Sequence, residues 1–213
     1  MTYPGGLLSE GSIRMTTSEA IGAAALYEFT AFGYRRTSVE SIARRAQLSR
    51  ATVYAHCSGK EELFRALVSR LHEEHLTAMR TVAETPGLDI KTKITRLLQA
   101  RFLRFVELTS SSPHAAELYD RHGALCGDIA EEAHRKAEKI ITAVLRRAVS
   151  AGEIDLGPSG LTTVQLTGVL TDCAYGAKGE DPATATPADF TARLGNSIAT
   201  IIAGVGSARA GQD

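Results

Sequence analysis

Hydrophobic residues recur at helical spacing along almost the whole chain, and no stretch alternates as a half-buried β-strand would. The first helical stretch opens with Thr16 and Glu19 at the spacing of a capping box. Its apolar face consists of Ile21, Ala25, Phe29 and Phe32. Gly33 is a typical helix stop, so the pattern predicts a first helix that ends there.

Two short helical segments follow, separated by a tight break at residues 47–48. Thr37 or Ser38 caps the first segment, and Ser49 caps the second, which covers about 50–57. Two short helices joined by a tight turn, with a longer helix on each side, form a helix-turn-helix arrangement.

Longer helices fill the rest of the chain. The fourth predicted helix covers about 60–81, and the Thr-Pro-Gly sequence at 85–87 marks a boundary after it. Further helices are predicted at about 90–108, 115–126, 129–151, 161–177 and 188–203. The expected fold is all-α, with about nine helices: an N-terminal three-helix helix-turn-helix domain and a larger helical domain.

The composition fits a water-soluble protein with a sizeable core, since 44% of the 213 residues are hydrophobic and 23% are charged. No apolar run reaches the roughly 18 residues that would span a bilayer, and the chain does not begin like a signal peptide. Cys57, Cys126 and Cys173 are too far apart for a zinc or redox motif, which favours free thiols in a reducing compartment. We therefore expect a cytoplasmic protein without a membrane segment.

The net charge of zero conceals an uneven distribution. Residues 34–60 carry six basic side chains against one acid, Glu40, which gives this segment +5 and the rest of the chain −5. A basic segment on an otherwise acidic chain indicates a local binding site for a polyanion. Basic clusters are often only solvated surface, so its coincidence with the helix-turn-helix is what makes this one informative.

The stretch from Ala20 to about Val68 resembles the DNA-binding domain of the tetracycline-repressor (TetR-like) transcriptional regulators. Its landmarks, in order, are Gly33-Tyr34, Thr37-Ser38-Val39, Leu48-Ser49, Thr52-Val53-Tyr54 and Lys60-Glu61-Glu62-Leu63. The remaining two thirds of the chain resemble the family only in helical architecture. The sequence departs from the family pattern at Gln47, where glycine is usual, and at Cys57, where phenylalanine is frequent. A left-handed backbone at Gln47 would be strained by about 1 kcal/mol.

The resemblance implies a homodimer that binds double-stranded DNA at a palindromic operator. It also implies a repressor that a small-molecule effector releases. The implied domains are a flexible arm over 1–15, a DNA-binding domain over 16–62 and a ligand-binding and dimerisation domain over 63–213. The helix at 60–81 connects the last two.

The resemblance also implies which residues meet DNA. The start of the third helix enters the major groove, so Arg50 is expected to read a guanine and Ala51 to contact a thymine methyl group. Lys60 opens a helix whose free amides favour a phosphate. The full expected set is Tyr34, Thr37, Ser49, Arg50, Ala51, Thr52, Tyr54, His56 and Lys60. The alternatives are that Tyr54 is partly a core residue and that Arg44 and Arg45 are solvated surface.

The larger domain is expected to hold the effector and the dimer interface. Expected pocket residues are Met79, Phe102, Phe105, Tyr119 and His122, which favour an apolar or amphipathic effector; the alternative is that they only pack in the core. The last two predicted helices supply the expected interface. Its residues are Leu161, Val164, Val169, Leu170 and Ile198, with Gly168, Ala174, Gly195 and Ala199 permitting close approach. The same pattern also fits an ordinary intramolecular core.

No catalytic motif, cofactor loop or metal spacing is present. His72 and His75 lie three residues apart but lack an evident third ligand. We expect no enzyme activity, cofactor, metal or membrane partner. The alternative function is a small-molecule-binding helical protein or enzyme with a vestigial helix-turn-helix. Arg50, Thr52, Tyr54 and Lys60 argue against it.

Overall fold

The computed structural model describes residues 15–179 and 186–205, and all regular structure in these two ranges is helical. The helices are α1 (Thr17–Arg36), α2 (Val39–Arg45), α3 (Arg50–Tyr54), α4 (Lys60–Glu84), α5 (Ile90–Ser110), α6 (Ala115–Ser150), α7 (Thr163–Ala177) and α8 (Pro187–Gly204). The all-α prediction is confirmed. Over the described ranges no helix is long and apolar enough to cross a membrane. The arm predicted over 1–15 lies outside the described residues except for Met15.

Helix α1 begins as predicted, and its helical geometry is interrupted at Gly33, where the sequence predicted the helix to stop. The Thr16 hydroxyl accepts the Glu19 amide at 3.2 Å, and the Glu19 carboxylate accepts the Thr16 amide at 2.7 Å, which confirms the capping box. Gly33 has a φ of 79°, which breaks the regular geometry, yet the helix continues to Arg36. Glu117 and His114 pack so closely on Gly33 that a Cβ atom would not fit. This corner of the fold therefore requires glycine both for its backbone angle and for the space it leaves.

The two short helices have the predicted side-chain caps. The Ser38 hydroxyl accepts the Ser41 amide at 3.1 Å, so Ser38 rather than Thr37 caps α2. The Ser49 hydroxyl accepts the Thr52 amide at 3.0 Å and caps α3. Helix α3 ends at Tyr54, earlier than predicted. The His56 amide donates to the Val53 carbonyl, three residues back, and this bond tightens the last turn and closes the helix.

The turn between α2 and α3 passes through Gln47 in the left-handed region, with a φ of 56°. The strained backbone predicted at this position is therefore confirmed. The side chain is exposed and forms no hydrogen bond to a described residue, so it provides no local compensation.

Replacing Gln47 with glycine is therefore expected to stabilise the protein by about 0.5–1 kcal/mol. Glycine removes the steric cost of the left-handed backbone, and its greater entropy in the unfolded chain offsets part of the gain. Urea unfolding measures the change. Gln47→Ala is the matched control because alanine keeps the Cβ atom. An unfolding midpoint for Gln47→Gly no higher than that of Gln47→Ala would contradict the interpretation.

Helix α6 joins two segments that the sequence separated. The predicted helices 115–126 and 129–151 form one helix, with a kink at Cys126, where φ is −131° and ψ is 19°. Arg65 of α4 bonds the Leu125 carbonyl at the kink and holds the Asp128 carboxylate at 2.9 Å and 2.7 Å. The described residues therefore form eight helices rather than about nine, because a distant side chain satisfies the backbone where the helix bends.

Two hydrophobic cores lie along α4. Leu63, Phe64, Leu67 and Val68 belong to the core that α1, α2 and α3 share. Leu76, Met79 and Ala83 belong to the core formed with α5, α6, α7 and α8. Cys57 and Cys126 are buried in the first core. The domain division at residues 62 and 63 remains a prediction. The cores change from one to the other farther along α4, between Val68 and Leu76.

Candidate nucleic-acid interface and ligand cavity

Helix α3 presents one polar face to solvent while its other face anchors it. Val53 is fully buried in the first core, whereas Arg50, Ala51 and Tyr54 are exposed. Tyr54 is 46% exposed, which does not favour the alternative that it is a core residue. The Ser49 hydroxyl accepts the Thr52 amide in the cap, and the hydroxyl oxygens of the two residues lie 2.7 Å apart. The side chains expected to reach bases therefore stand on a helix whose start is fixed.

Arg50, the residue expected to read a base, forms an ion pair that the sequence did not predict. The Arg50 guanidinium pairs with the Glu40 carboxylate on α2. The pKa of Glu40 is lowered, first by its backbone hydrogen bond and then by the Arg50 charge. Glu40 is the single acid between residues 34 and 60, and that isolation is the one sequence signal that pointed to it. The pair is exposed, so DNA can displace the carboxylate at little cost.

The expected DNA-contact residues outside α3 fall into two groups. Lys60 and His56 are at the surface: the Lys60 ammonium donates to the Tyr34 carbonyl at 3.0 Å and lies 4.5 Å from the centre of the Tyr34 ring. The His56 Nδ1 atom lies 2.9 Å from the Thr52 carbonyl oxygen. Gly59 precedes Lys60 and provides no side-chain cap, so the first amides of α4 lack a side-chain acceptor.

Thr37 differs from this expectation. It is 2% exposed, and its hydroxyl donates to the carbonyls of Glu28 at 2.9 Å and Gly33 at 2.7 Å. The structure therefore places this side chain inward, where it closes the end of α1, rather than on the surface where a DNA contact was expected. Its family position alone did not reveal that two backbone carbonyls already engage the hydroxyl.

Arg45 is similarly engaged within the fold. Its Nε atom donates to the buried Glu28 carboxylate at 2.5 Å, and its guanidinium lies 3.5 Å from the centre of the Tyr27 ring. Since its charge is paired and its plane stacked, Arg45 is a structural residue that links α1 and α2. This observation agrees with the interpretation that it does not read bases.

A cavity of about 340 Å³ lies between α1, α4, α5, α6 and α7. The five expected pocket residues, Met79, Phe102, Phe105, Tyr119 and His122, all line it. Met79 and Phe102 are buried in the second core, whereas Tyr119 stands at the surface. Phe29 and Phe64 line the same cavity although they belong to the first core. The cavity therefore extends from the ligand-binding region to the underside of the helix-turn-helix. That the five residues bind an effector remains a prediction.

The sequence did not indicate the polar groups in this cavity. Arg101 on α5 donates to the His134 Nδ1 atom at 2.9 Å and to the Tyr175 hydroxyl at 3.4 Å. Lys178, just after α7, points its ammonium towards the rings of Phe102, Phe105 and Tyr175, with centroids at 5.4 Å, 5.3 Å and 4.5 Å. Burial and the Arg101 charge lower the pKa of Lys178 to about 8. Lys178 therefore carries positive charge at neutral pH, next to the guanidinium of Arg101.

Three histidines lie in the same wall. The Nε2 atoms of His72 and His122 are 3.4 Å apart, and the ring of His75 is 6.1 Å from that of His72. Burial, with the charges around them, lowers the pKa of His72 and of His75 to about 4, and burial followed by Lys178 lowers the pKa of His122. All three are neutral at pH 7. Within the described ranges, no three His, Cys, Asp or Glu side chains are placed to hold a metal ion.

The helices expected to dimerise have an inner and an outer face. Leu170 and Ile198 are fully buried in the second core, so their expected place in an interface is wrong: they fill the subunit's own interior. Val164 and Val169 are 59% and 39% exposed on the outer face of α7. A Cβ atom at Gly168, Gly176 or Gly195 would meet nothing within 4 Å, so packing within the subunit does not require glycine at these three positions.

The N-terminal part of the chain matches known regulators in sequence. A family model for bacterial regulatory proteins of the tetR family matches residues 21–67. YhgD from Bacillus subtilis, an uncharacterized HTH-type transcriptional regulator, is 24% identical over 129 residues. That match covers 61% of this chain and 65% of YhgD, so the chain spans just under two thirds of the length of this relative.

The fold of nearly the whole chain matches solved structures. SmeT, the repressor of the Stenotrophomonas maltophilia multidrug efflux pump SmeDEF, has a TM-score of 0.62 at 22% identity, over 87% of this chain and 90% of SmeT. The fatty acid degradation regulator FadR from Bacillus halodurans has a TM-score of 0.62 at 16% identity, over 91% of this chain and 98% of FadR. Residues 21–67 are therefore similar in sequence to bacterial regulatory proteins of the tetR family, and nearly the whole chain shares its fold with solved regulators.

Proposed function

We propose that this protein is a sequence-specific DNA-binding transcriptional repressor, which acts as a homodimer in the cytoplasm and leaves its operator when a small molecule occupies the cavity. The observation that carries the proposal is the exposed face of α3. Arg50, Ala51 and Tyr54 face solvent on a capped helix in a segment of net charge +5. This combination suits a recognition helix in a major groove.

Binding to the DNA next to its own gene tests the proposal. We expect a dissociation constant in the nanomolar range, at least about a thousandfold tighter than for random DNA of equal length and salt. Fluorescence anisotropy with labelled duplexes measures both affinities. Equal affinity for the two duplexes would leave only charge-driven binding, and no binding to either would favour the alternative of a vestigial helix-turn-helix.

The cavity gives the proposed repressor a place for its effector. SmeT, which shares the fold, has a solved complex with triclosan. A ligand in the cavity of this chain would touch Phe29 and Phe64, which hold the helix-turn-helix, together with Tyr119 and His122 on α6. Release of DNA requires that the ligand bind a different conformation better than the DNA-competent one. No catalytic step is part of this proposal.

The first turns of α6 are the proposed link from cavity to DNA. Glu117 accepts the Arg35 amide at 2.7 Å, and the Ser112 hydroxyl, just before α6, donates to the Thr30 carbonyl at 2.7 Å. The Arg121 guanidinium lies 5.4 Å from the Tyr34 ring, and the Tyr34 carbonyl in turn accepts Lys60. Displacement of this segment by a ligand would therefore move the corner between α1 and α2.

Glu117→Ala is expected to weaken operator binding about tenfold per subunit without bound ligand. It removes a charge-assisted acceptor worth about 1.5–3 kcal/mol to the junction, and part of that loss reaches the DNA surface. The slope of log affinity against log salt is expected to stay unchanged, because no phosphate contact is lost.

Glu117→Gln is the matched variant, since its amide oxygen still accepts the Arg35 amide. It is expected to restore most of the affinity. A flatter salt slope for Glu117→Ala would instead mean that Glu117 acts at the DNA surface, and equal affinity of wild type and Glu117→Ala would rule out the link.

A further inference from the structure

We propose that the effector is an amphipathic organic anion, whose carboxylate lies between Arg101 and Lys178 and whose apolar body follows the aromatic wall of the cavity. This inference rests on the proposed function, in that it identifies the class of the effector. It concerns the chemistry of the cavity alone and does not depend on how DNA is bound.

The two cations converge on one place. The Arg101 guanidinium lies 5.0 Å and the Lys178 ammonium 5.4 Å from the centre of the same ring, that of Phe102. Both also approach Tyr175, whose hydroxyl lies 3.4 Å from an Arg101 nitrogen and whose ring centre lies 4.5 Å from the Lys178 ammonium. Like charges repel in a partly desolvated site, so this arrangement favours an anion between them.

No carboxylate of the described residues forms an ion pair with Arg101 or Lys178. The cavity wall, as far as it is described, contains neither Asp nor Glu. Neither Arg101 nor Lys178 has an ion pair with a described acid. Glu138 is connected to Arg101 only through His134, which lies 3.3 Å from that carboxylate. Within residues 15–179 and 186–205, the charge of the pair therefore has no acidic partner, and a ligand anion would supply one.

Polar atoms without partners lie in the same wall. The Nε atom of Arg101 and the Nε2 atom of His75 are buried and have no hydrogen-bond partner among the described residues. Buried polar atoms without partners are rare in native structures and each one calls for an explanation. A carboxylate beside Arg101 would accept the Nε hydrogen. The guanidinium also matches a carboxylate with two parallel donors.

The rest of the cavity determines the body of the ligand. Away from the cations the wall is mostly aliphatic and aromatic, and it continues to Phe29 and Phe64 below the helix-turn-helix. The volume of about 340 Å³ falls within the roughly 300–1,000 Å³ of small-molecule sites. An apolar chain or ring system with one acidic end fits this distribution, whereas a cationic ligand would meet two like charges at that end.

Isothermal titration with three probes of equal chain length tests the inference on the intact protein. Decanoate is expected to bind at least tenfold more tightly than decanol, and decylammonium more weakly than decanol. The double variant Arg101→Met/Lys178→Met keeps apolar volume but removes both charges. It is expected to bind decanoate no better than decanol while its affinity for decanol stays within about threefold of wild type, since apolar contacts are retained.

Arg96→Met is the control variant, because Arg96 is an exposed cation on the same helix, away from the cavity wall. It should bind all three probes like wild type. The inference would be overturned if the wild type bound decanol as tightly as decanoate, or if the double variant still preferred decanoate. It would also be overturned if the wild type bound none of the three probes. The operator measurement on the same preparations keeps the two proposals apart: a protein that binds its operator but shows no preference for decanoate refutes only the anion.

Discussion

Arg50→Ala is expected to lower the affinity of the dimer for its operator by about 2–6 kcal/mol, which is at least about thirtyfold. A bidentate contact between arginine and guanine discriminates by about 1–3 kcal/mol, and a dimer makes it in both half-sites. The guanidinium is well placed for this role because it stands exposed at the first position of α3. The fixed cap at Ser49 sets the direction from which it leaves the helix.

The loss should be confined to the operator. Random DNA offers no guanine in register, so the affinity of Arg50→Ala for random duplexes is expected to change far less. The ratio of operator affinity to random-DNA affinity should therefore fall strongly. Arg50→Lys is the matched control: it keeps the charge and loses the paired donors, so we expect it to resemble Arg50→Ala on the operator and wild type on random DNA.

Lys60→Ala should show the opposite pattern. Lys60 is the first residue of α4, and its ammonium contacts the ring and the carbonyl oxygen of Tyr34. Its loss is expected to weaken binding to all duplexes and to reduce the salt slope by about 0.9 per phosphate contact. If Arg50→Ala weakened operator and random DNA equally, Arg50 would be a phosphate contact and the expected position of α3 in the groove would be wrong.

Local sequence signals predicted the parts of the fold that depend on neighbouring residues. The caps at Thr16 and Ser49 each need only a side chain three residues from its backbone partner. The left-handed turn at Gln47 followed from the resemblance, because glycine is usual at this position in the TetR-like regulators. The continuation of α6 through Cys126 could not be predicted in this way. The Arg65 side chain that satisfies the Leu125 carbonyl lies 60 residues earlier in the chain.

The candidate sites show the same limit. Aromatic residues at helical spacing identified one wall of the cavity, because large apolar side chains must face the interior. The charged end of the cavity brings Arg101 of α5 together with Lys178 after α7, and no local pattern links residues so far apart in the chain. For α7 and α8, periodicity identified an apolar stripe but could not separate Ile198, which faces the subunit's own core, from Val169, which faces outward.

Val169→Arg is expected to raise the dissociation constant of the proposed dimer at least about a hundredfold. Val164 and Val169 are both exposed apolar side chains on α7, which also contains Gly168. A helix glycine costs about 1 kcal/mol relative to alanine, and no described atom of the subunit lies within 4 Å of a Cβ placed at Gly168. Close approach of a partner helix would account for both features. An unpaired arginine in such a contact costs about 3–5 kcal/mol, and the twofold axis introduces two of them.

The structure provides two matched controls for this substitution. Val149→Arg places the same charge at a similarly exposed valine on α6, outside the two helices of the proposed interface, and should leave the dimer intact. Ile198→Arg buries the charge inside the subunit and should unfold it, so a folded monomer is expected only for Val169→Arg. Sedimentation gives the assembly, and the helical signal in circular dichroism shows whether the chain is folded. Operator affinity should fall with the dimer, because a single helix-turn-helix covers one half-site. A wild type that sediments as a monomer at micromolar concentration, or a Val169→Arg variant that remains dimeric, would place the interface on another surface of the protein.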